Sequence, residues 1–379
     1  MTSPLKGLRV LELARILAGP WAGQTLADLG AEVIKVESPD GDDTRRWGPP
    51  FLTKGGIQSA AYFNGCNRGK TSVTADLKSP DDLARVQTLA AEADVILENF
   101  KQGGLSQFDL DYESVARANP KVVYCSITGF GQTGPRAKEP GYDLLIQAMS
   151  GIMDVTGQAD GPPTKMGVAF ADIFSGLYAT IAIQAALAER AQSGQGQHID
   201  ISLFDCMLSV LANQAQNYFA TGQSPKRKGN THPNLMPYEV LDVSDGHIVV
   251  AVGNDAQFRR FCAVLGVEHV ADDPRFSSNA ERVANRDDLL PILLVETRRW
   301  ARDELIGELT ERGVPAGPIN SIAEALADPQ TEARQMVISP EGDKGLRTPI
   351  VFSRSALDLE KGVPSHGDAA LGDAIWRQR

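Results

Sequence analysis

LRVLELARILAGPWAGQTLADLGAEVIKVE, residues 8–37, sets two β-rich runs on either side of a helical one. LRVLEL (8–13) reads as a strand. Gly19-Pro20 punctuates the start of a helix through WAGQTLADLGA (21–31), and EVIKVE (32–37) is a second strand. The texture recurs downstream. ADVILENF (93–100) and KVVYCSITGFG (121–131) are further strands, with helical stretches such as 80–92 between them. Strand, helix and strand in series predict an α/β fold with a parallel sheet and crossover helices. In such sheets a ligand sits off the carboxyl ends of the strands.

Residues 172 to about 190 form a long helix rich in Ala, Ile and Leu. SGQGQ (193–197) ends it, and HIDISLFD (198–205) returns as a strand. The polar, Gly- and Pro-containing stretch at 220–240 reads as a linker. After it come GHIVVAVGNDAQFRRFCAVLG (246–266), helical runs around 286–312 and a boundary at RGVPAGPINSIAEAL (312–326). This divides the chain into a large domain (1–225), a smaller domain (226–325) and a C-terminal segment (326–379). The β-like piece LRTPIVFSRS (346–355) lies in that last segment, which is expected to return to the large domain.

The chain has 379 residues, 42% hydrophobic, with a formal charge of −11. That balance argues against nucleic acid or an anionic membrane as partner, since both select a basic face. The four cysteines, Cys66, Cys125, Cys206 and Cys262, form no CxxC pair and read as reduced thiols. The start lacks the apolar core of a signal peptide, and no run of 18 uncharged apolar residues occurs. A cytoplasmic protein is the expectation.

Several motifs fail. No GxGxxG follows the first strand. GCNRGKT (65–71) has three residues between its glycines where a phosphate loop has four, and β-like SVTADL follows it. The five histidines never fall at metal-ligand spacing, and no GxSxG is present. What remains is Asp172, one acid in the apolar run TKMGVAFADIFSGLYATIAIQAALAER (164–190). It reads as a helix N-cap or as a carboxylate nucleophile kept ionised by the helix N-terminus. SITGFGQTGPRAKEPGYDLL (126–145) reads as a surface loop or as a binding loop with Tyr142 and Asp143 as its polar chemistry. Arg45, Arg46, Lys70, Lys78, Lys101, Arg136 and Lys138 lie on the same set of loops and could hold a polyanion.

LAGPWAGQTLADLGAEVIKVE, GDDTRRWGPPF, NRGKTSVTADLK, ADVILENF, GFGQTGPRAKEPGYD, GVAFADI and GQGQHIDISLFD, in this order, resemble the successive signatures of the family III (CaiB/BaiF) CoA-transferases. The resemblance implies a large Rossmann-like domain plus a small α/β domain, two chains threaded through each other as an interlocked homodimer, and Asp172 as nucleophile. It implies acyl-CoA as substrate, with no metal and no permanently bound cofactor. By matched position CoA is contacted from Ile16, Leu17, Ala75, Lys78, Gln107 and Phe108. Some members place Arg where this chain has Ser38 and Gln107, so Lys101 or Arg45 would substitute. Tyr142 and Gln147 are candidates for the acyl pocket, and Arg46 or His232 for a distal carboxylate. The related 2-methylacyl-CoA racemases carry His-Asp where this chain has Tyr142-Asp143, and Tyr is a poor base at neutral pH. Within the family the pattern most resembles the branch acting on succinate and hydroxymethylglutarate or glutarate. That branch would take CoA from succinyl-CoA to a dicarboxylate. Branches using malate, citramalate, itaconate or carnitine share much of the pattern.

Overall fold

The computed structural model describes residues 2–54, 56–374 and 376. Six strands form the main sheet: β1 (Arg9–Glu12), β2 (Glu32–Glu37), β3 (Thr71–Thr74), β4 (Val95–Glu98), β5 (Val123–Thr128) and β6 (Gln197–Ser202). All neighbours pair in parallel, in the order β3-β2-β1-β4-β5-β6. This is the doubly wound Rossmann order, which reverses between β1 and β4. The helices that matter for the site are α1 (Ala18–Asp28), α2 (Pro80–Glu92), α3 (Tyr112–Ala118), α4 (Asp143–Met149) and α5 (Phe170–Ser193).

Alternation along each strand sends side chains to both faces, so both must be covered. Val10, Leu97 and Cys125 pack with Ala22 and Leu26 of α1 and with Ala179 and Ile183 of α5. Their sequence neighbours Leu11, Ile96 and Tyr124 pack on the other face with Val86 and Leu89 of α2 and Val115 of α3. Helix α2 begins as its sequence demands. The Ser79 hydroxyl accepts from the Asp82 N–H, Pro80 opens the first turn, and Asp81 and Asp82 follow beside the helix dipole.

Helix α5 has 24 residues and is long and apolar enough, by length and composition, to cross a membrane. In this fold one stripe of it, small residues (Ala171, Ser175, Gly176, Ala179 and Ala186) with Ile183 among them, is buried in the large unit. At Gly176 it meets α1 so closely that a Cβ would lie 2.6 Å from the Ala18 carbonyl oxygen. Gly176→Ala is therefore expected to cost about 1–3 kcal/mol by overpacking. Denaturant unfolding checks this, and a wild-type midpoint would sink it.

The described chain divides into two compact units. The first is Met1–Ile152, Lys165–Gly222 and Pro329–Arg379, and the second is Met153–Thr164 with Gln223–Asp328. The second unit holds a three-stranded antiparallel sheet. Gly246–Ala251 lies at its centre, between Tyr238–Val243 and Ala316–Pro318. Phe258, Phe261, Leu289 and Leu293 fill its core. Arg282 is fully buried there. Its guanidinium donates to the carbonyls of Met236 and Phe276 and pairs with Asp255 at 2.8 Å.

Within the first unit, the last residues lie against β3. Lys361 Nζ donates to Thr71 Oγ1 at 2.7 Å, Asp368 accepts from the Ser72 N–H at 2.7 Å, and Ala369 bridges Val73. The β-like reading of 346–355 is corrected. Pairing there is limited to Gly345–Leu346 with Val337–Ile338. Pro349 has no N–H to continue a ladder, and the Arg347 side chain binds four local carbonyls instead.

Candidate active site

The crossover from β5 to β6 sets the N-terminus of α5 at the carboxyl edge of the sheet, where Asp172 lies in the helix's first turn. Asp172 is not the N-cap. Ala169 holds that position with no side-chain cap of its own. The cap comes from α4, where Asp143 Oδ1 accepts the Ala171 N–H at 2.8 Å. Asp143 Oδ2 accepts from Gln147 Nε2 at 2.7 Å, and Gln147 Oε1 accepts from the Met166 N–H at 2.9 Å. One carboxylate and one amide thus fix both the first turn of α5 and the segment entering it.

Gln147 is fully buried with both ends of its amide engaged, so it positions this segment. Tyr142, next to Asp143, is 65% exposed. The glycines before it have a packing reason. Gly129 and Gly141 touch backbone to backbone, and a Cβ on Gly129 would meet the Gly141 Cα at 2.5 Å. That contact closes the glycine-rich loop and delivers Asp143 to its helix.

Freed from capping, Asp172 keeps its carboxyl available. Among the described residues no hydrogen bond or ion pair engages it. Burial, reinforced by the Asp143 charge, pushes its pKa up to about 7. The expectation is an acid kept ionised by the helix N-terminus; desolvation and the like charge of Asp143 act in the opposite direction. Tyr62 belongs to the same neighbourhood. Burial, then Asp172, raise its phenol to about 12, and its ring stands edge-on to Trp47 at 5.3 Å. Sequence reading missed both aromatics. No local pattern in the sequence marks them; in the fold they are large side chains left partly exposed, at 45% and 37%.

The order reversal of the sheet places the β1–α1 turn beside the end of β4. Ile16 and Leu17 lie in that turn. Asn99, just past β4, brackets it by accepting from the Arg15 N–H at 3.0 Å and donating to the Arg15 carbonyl at 2.7 Å. Lys101 is exposed one step further on. Gln102 Nε2 donates to the Gln132 carbonyl at 2.6 Å, tying this loop to the glycine-rich one. Gln107 is exposed and folded onto the Gly104 carbonyl, while Phe108 packs on the α2/α3 face of the main sheet. Off β3, Ala75 is buried with its N–H on the Glu37 carbonyl, and Lys78 is exposed.

Two of the expected cation positions are held internally by carboxylates. Arg45 pairs with Glu37 at 2.6 Å and lies 3.6 Å over the Phe63 ring with its side chain 9% exposed, so its charge is held internally. Lys70 is fully buried on Glu12. Arg136 is exposed and pairs with Glu139. Arg46 is exposed, donating to the Asp40 carbonyl. His232 belongs to the second unit, where its Nδ1 accepts from the Asn234 N–H. Among the described residues no three His, Cys, Asp or Glu side chains converge as metal ligands.

A free, half-buried carboxyl at the carboxyl edge of a doubly wound sheet suits acyl transfer. The model of CoA-transferase family III matches residues 5–369. The chain belongs to CoA-transferase family III. It is an enzyme that transfers CoA. A family member named succinate–glutarate CoA-transferase, from Agrobacterium fabrum, is 53% identical over 96% of this chain and 93% of that one. The human succinyl-CoA:glutarate CoA-transferase is 40% identical over 89% of this chain and 76% of its own length. Acetyl-CoA:oxalate CoA-transferase from Acetobacter aceti is 42% identical over 92% of this chain and 89% of its own. In structure, a CaiB/BaiF family protein from Brucella suis superposes with a TM-score of 0.89 at 59% identity, covering 97% of each chain. The fold of this family III CoA-transferase is therefore that of the CaiB/BaiF proteins.

Proposed function

We propose that this enzyme moves CoA from succinyl-CoA to a second dicarboxylic acid, with glutarate as the first candidate, through a thioester on Asp172. The observation that carries the reading is the unengaged Asp172 carboxyl beside the strand-end loops. The names of the Agrobacterium and human relatives support the acids.

The Asp172 carboxylate attacks the thioester carbonyl of succinyl-CoA, giving a mixed anhydride and CoA thiolate. The thiolate attacks the aspartyl carbonyl and releases succinate, leaving an aspartyl-CoA thioester. The acceptor carboxylate attacks that thioester, forming a second anhydride and thiolate. The thiolate then takes the new acyl group and frees Asp172. Thioester and anhydride are all activated acyl groups, so covalent catalysis divides the exchange into steps of similar energy. Water must be kept out, and the burial that raises the Asp172 pKa serves this. CoA is a substrate here, and the route calls for no metal or redox group. Lys78 and Lys101 are the exposed cations we assign to its phosphates, and Arg46 to the distal carboxylate.

The test is to mix enzyme, succinyl-CoA and glutarate and read acyl-CoAs by mass spectrometry. Glutaryl-CoA formed by wild type and not by Asp172→Ala supports the reading. No exchange with glutarate or any of hydroxymethylglutarate, malate, itaconate and carnitine would overturn it, and racemisation of a 2-methylacyl-CoA would be assayed next. Because only the carboxylate attacks, kcat/KM for succinyl-CoA is expected to rise with pH through about 7 and then level. A profile flat from pH 5.5 to 8.5 would contradict that.

The active form is proposed to be an interlocked homodimer. Leu177, Tyr178 and Ile181 on α5 and Tyr218 and Phe219 beyond it are exposed apolar side chains that a second copy would cover. Light scattering at micromolar concentration tests it, and a monomer that is fully active would refute it.

A further inference from the structure

The turn from β1 into α1 carries an anomaly. Ile16 has φ = +72°, in the left-handed region. Among the described non-glycine residues with positive φ it alone is β-branched, and such residues avoid this conformation strongly. Strain of this kind persists only where the surroundings over-determine it, and it collects at functional sites.

The surroundings here are unusual in their own right. Asp42 accepts the Ile16 N–H at 3.2 and 3.3 Å from its two oxygens. Lys35 donates to the Ala14 carbonyl at 2.7 Å, and Lys70 donates to the Pro20 carbonyl at 2.9 Å. Asn99 holds both polar groups of the Arg15 backbone from the far side. Behind the turn the charges hold one another. Lys35 lies 3.0 Å from Glu12 and 3.0 Å from Asp42, and Lys70 lies 2.8 Å from Glu12, every one of these side chains 0–1% exposed. Gly23 makes room for the group, since a Cβ there would meet Glu12 Oε2. Burial pulls the Lys35 pKa down, but Glu12, Asp42 and Glu37 together raise it above its ordinary value, so the ammonium stays charged.

Buried ion pairs are weak contributors to stability, and a strained residue subtracts from it. A cluster that combines both is better explained by what it holds in place. It holds one short piece of backbone, Ala14–Leu17, at the switch point of the sheet. The next residue, Ala18, is the one whose carbonyl α5 meets at Gly176, one helical turn from Asp172.

We propose that Lys35, Asp42 and Asn99 are positioning residues of the acyl-CoA site, holding the Ala14–Leu17 turn rigid so that CoA meets a preformed backbone edge beside Asp172. This rests on the CoA-transfer reading above. Rigidity set in advance lowers the ordering cost of binding.

Asn99→Ala is the first variant, because Asn99 is half-exposed and its loss leaves the buried charges intact. Two backbone bonds vanish, so KM for succinyl-CoA and the calorimetric Kd for free CoA should each rise about tenfold or more, with kcat within about threefold. Ile16→Gly is the second. Without the side chain that fixes it, the turn loosens, and the CoA Kd should again rise. Lys35→Met should weaken CoA binding further in whatever fraction remains folded. Wild-type KM and Kd in Asn99→Ala, or a wild-type CoA Kd in Ile16→Gly, would overturn the proposal. A wild-type enzyme that neither binds CoA nor exchanges it would instead overturn the CoA-transfer reading, so the two failures are distinguishable.

Discussion

Asp172→Asn is expected to abolish CoA exchange, lowering kcat by about 10⁴-fold or more, while free CoA still binds with near wild-type affinity. The amide has no anionic oxygen to attack the thioester, and nothing else in the neighbourhood offers one, because Asp143 is bound to Ala171 and Gln147. The same change should stabilise the folded protein at pH 8. An aspartate titrates near 3.9 in the unfolded chain and Asp172 near 7 in the folded one. Between those values the folded state binds the extra proton, so stability falls as pH rises from 4 to 7, and the whole deficit persists above 7. Removing the charge is expected to recover about 1–3 kcal/mol, allowing for the part of the site open to solvent. Urea unfolding of both proteins at pH 5 and pH 8 checks this, and the gain should shrink at the lower pH. Residual exchange within tenfold of wild type would remove Asp172 from the nucleophile's role. An equal gain at both pH values would remove the buried charge as the cause.

Asp143→Ala is expected to cost about 2–4 kcal/mol. It takes the cap from α5, and it leaves the Gln147 amide buried with one end unpaired. It also removes the negative charge that helps hold the Asp172 pKa up. The acid limb of kcat/KM should therefore move to lower pH, though not to an ordinary carboxylate value, since burial is the larger cause. Asp143→Asn keeps an oxygen for the Ala171 N–H and so should lose less stability, with the same direction of shift in the limb. A limb that stays at wild-type pH in both variants would show that Asp143 acts on Asp172 through structure alone.

Much of this could be read from the chain before it folds. Residues 8–37 spell strand, turn and helix with local signals only: β-rich runs, Gly19-Pro20, and a helical run between them. The series GVAFADI, GFGQTGPRAKEPGYD and GQGQHIDISLFD points to the family, and the family model spans residues 5–369. The long apolar helix was visible too, though its start lay two residues earlier than the acid suggested. Ala169 ends up at the N-cap because a carboxylate from another helix supplies the hydrogen bond.

What escaped the sequence has a common cause. Arg45, Lys70 and Arg136 look alike as letters, yet the fold buries the first two on Glu37 and Glu12 and leaves the third exposed. Trp47 and Tyr62 reach the Asp172 neighbourhood from more than a hundred residues away. Gln147 turned out to be a brace because its partners, Asp143 and Met166, come from both sides of it.

The sequence by itself determined the alternation of elements and the family, and it singled out the acid proposed to react, because each is carried by residues contiguous in the chain. Only the tertiary structure decided the state of that acid and which neighbours serve it. Solvent exclusion, like-charge repulsion and hydrogen-bond partnership all depend on distances between residues remote in sequence, and those distances exist only once the sheet has brought its carboxyl ends together.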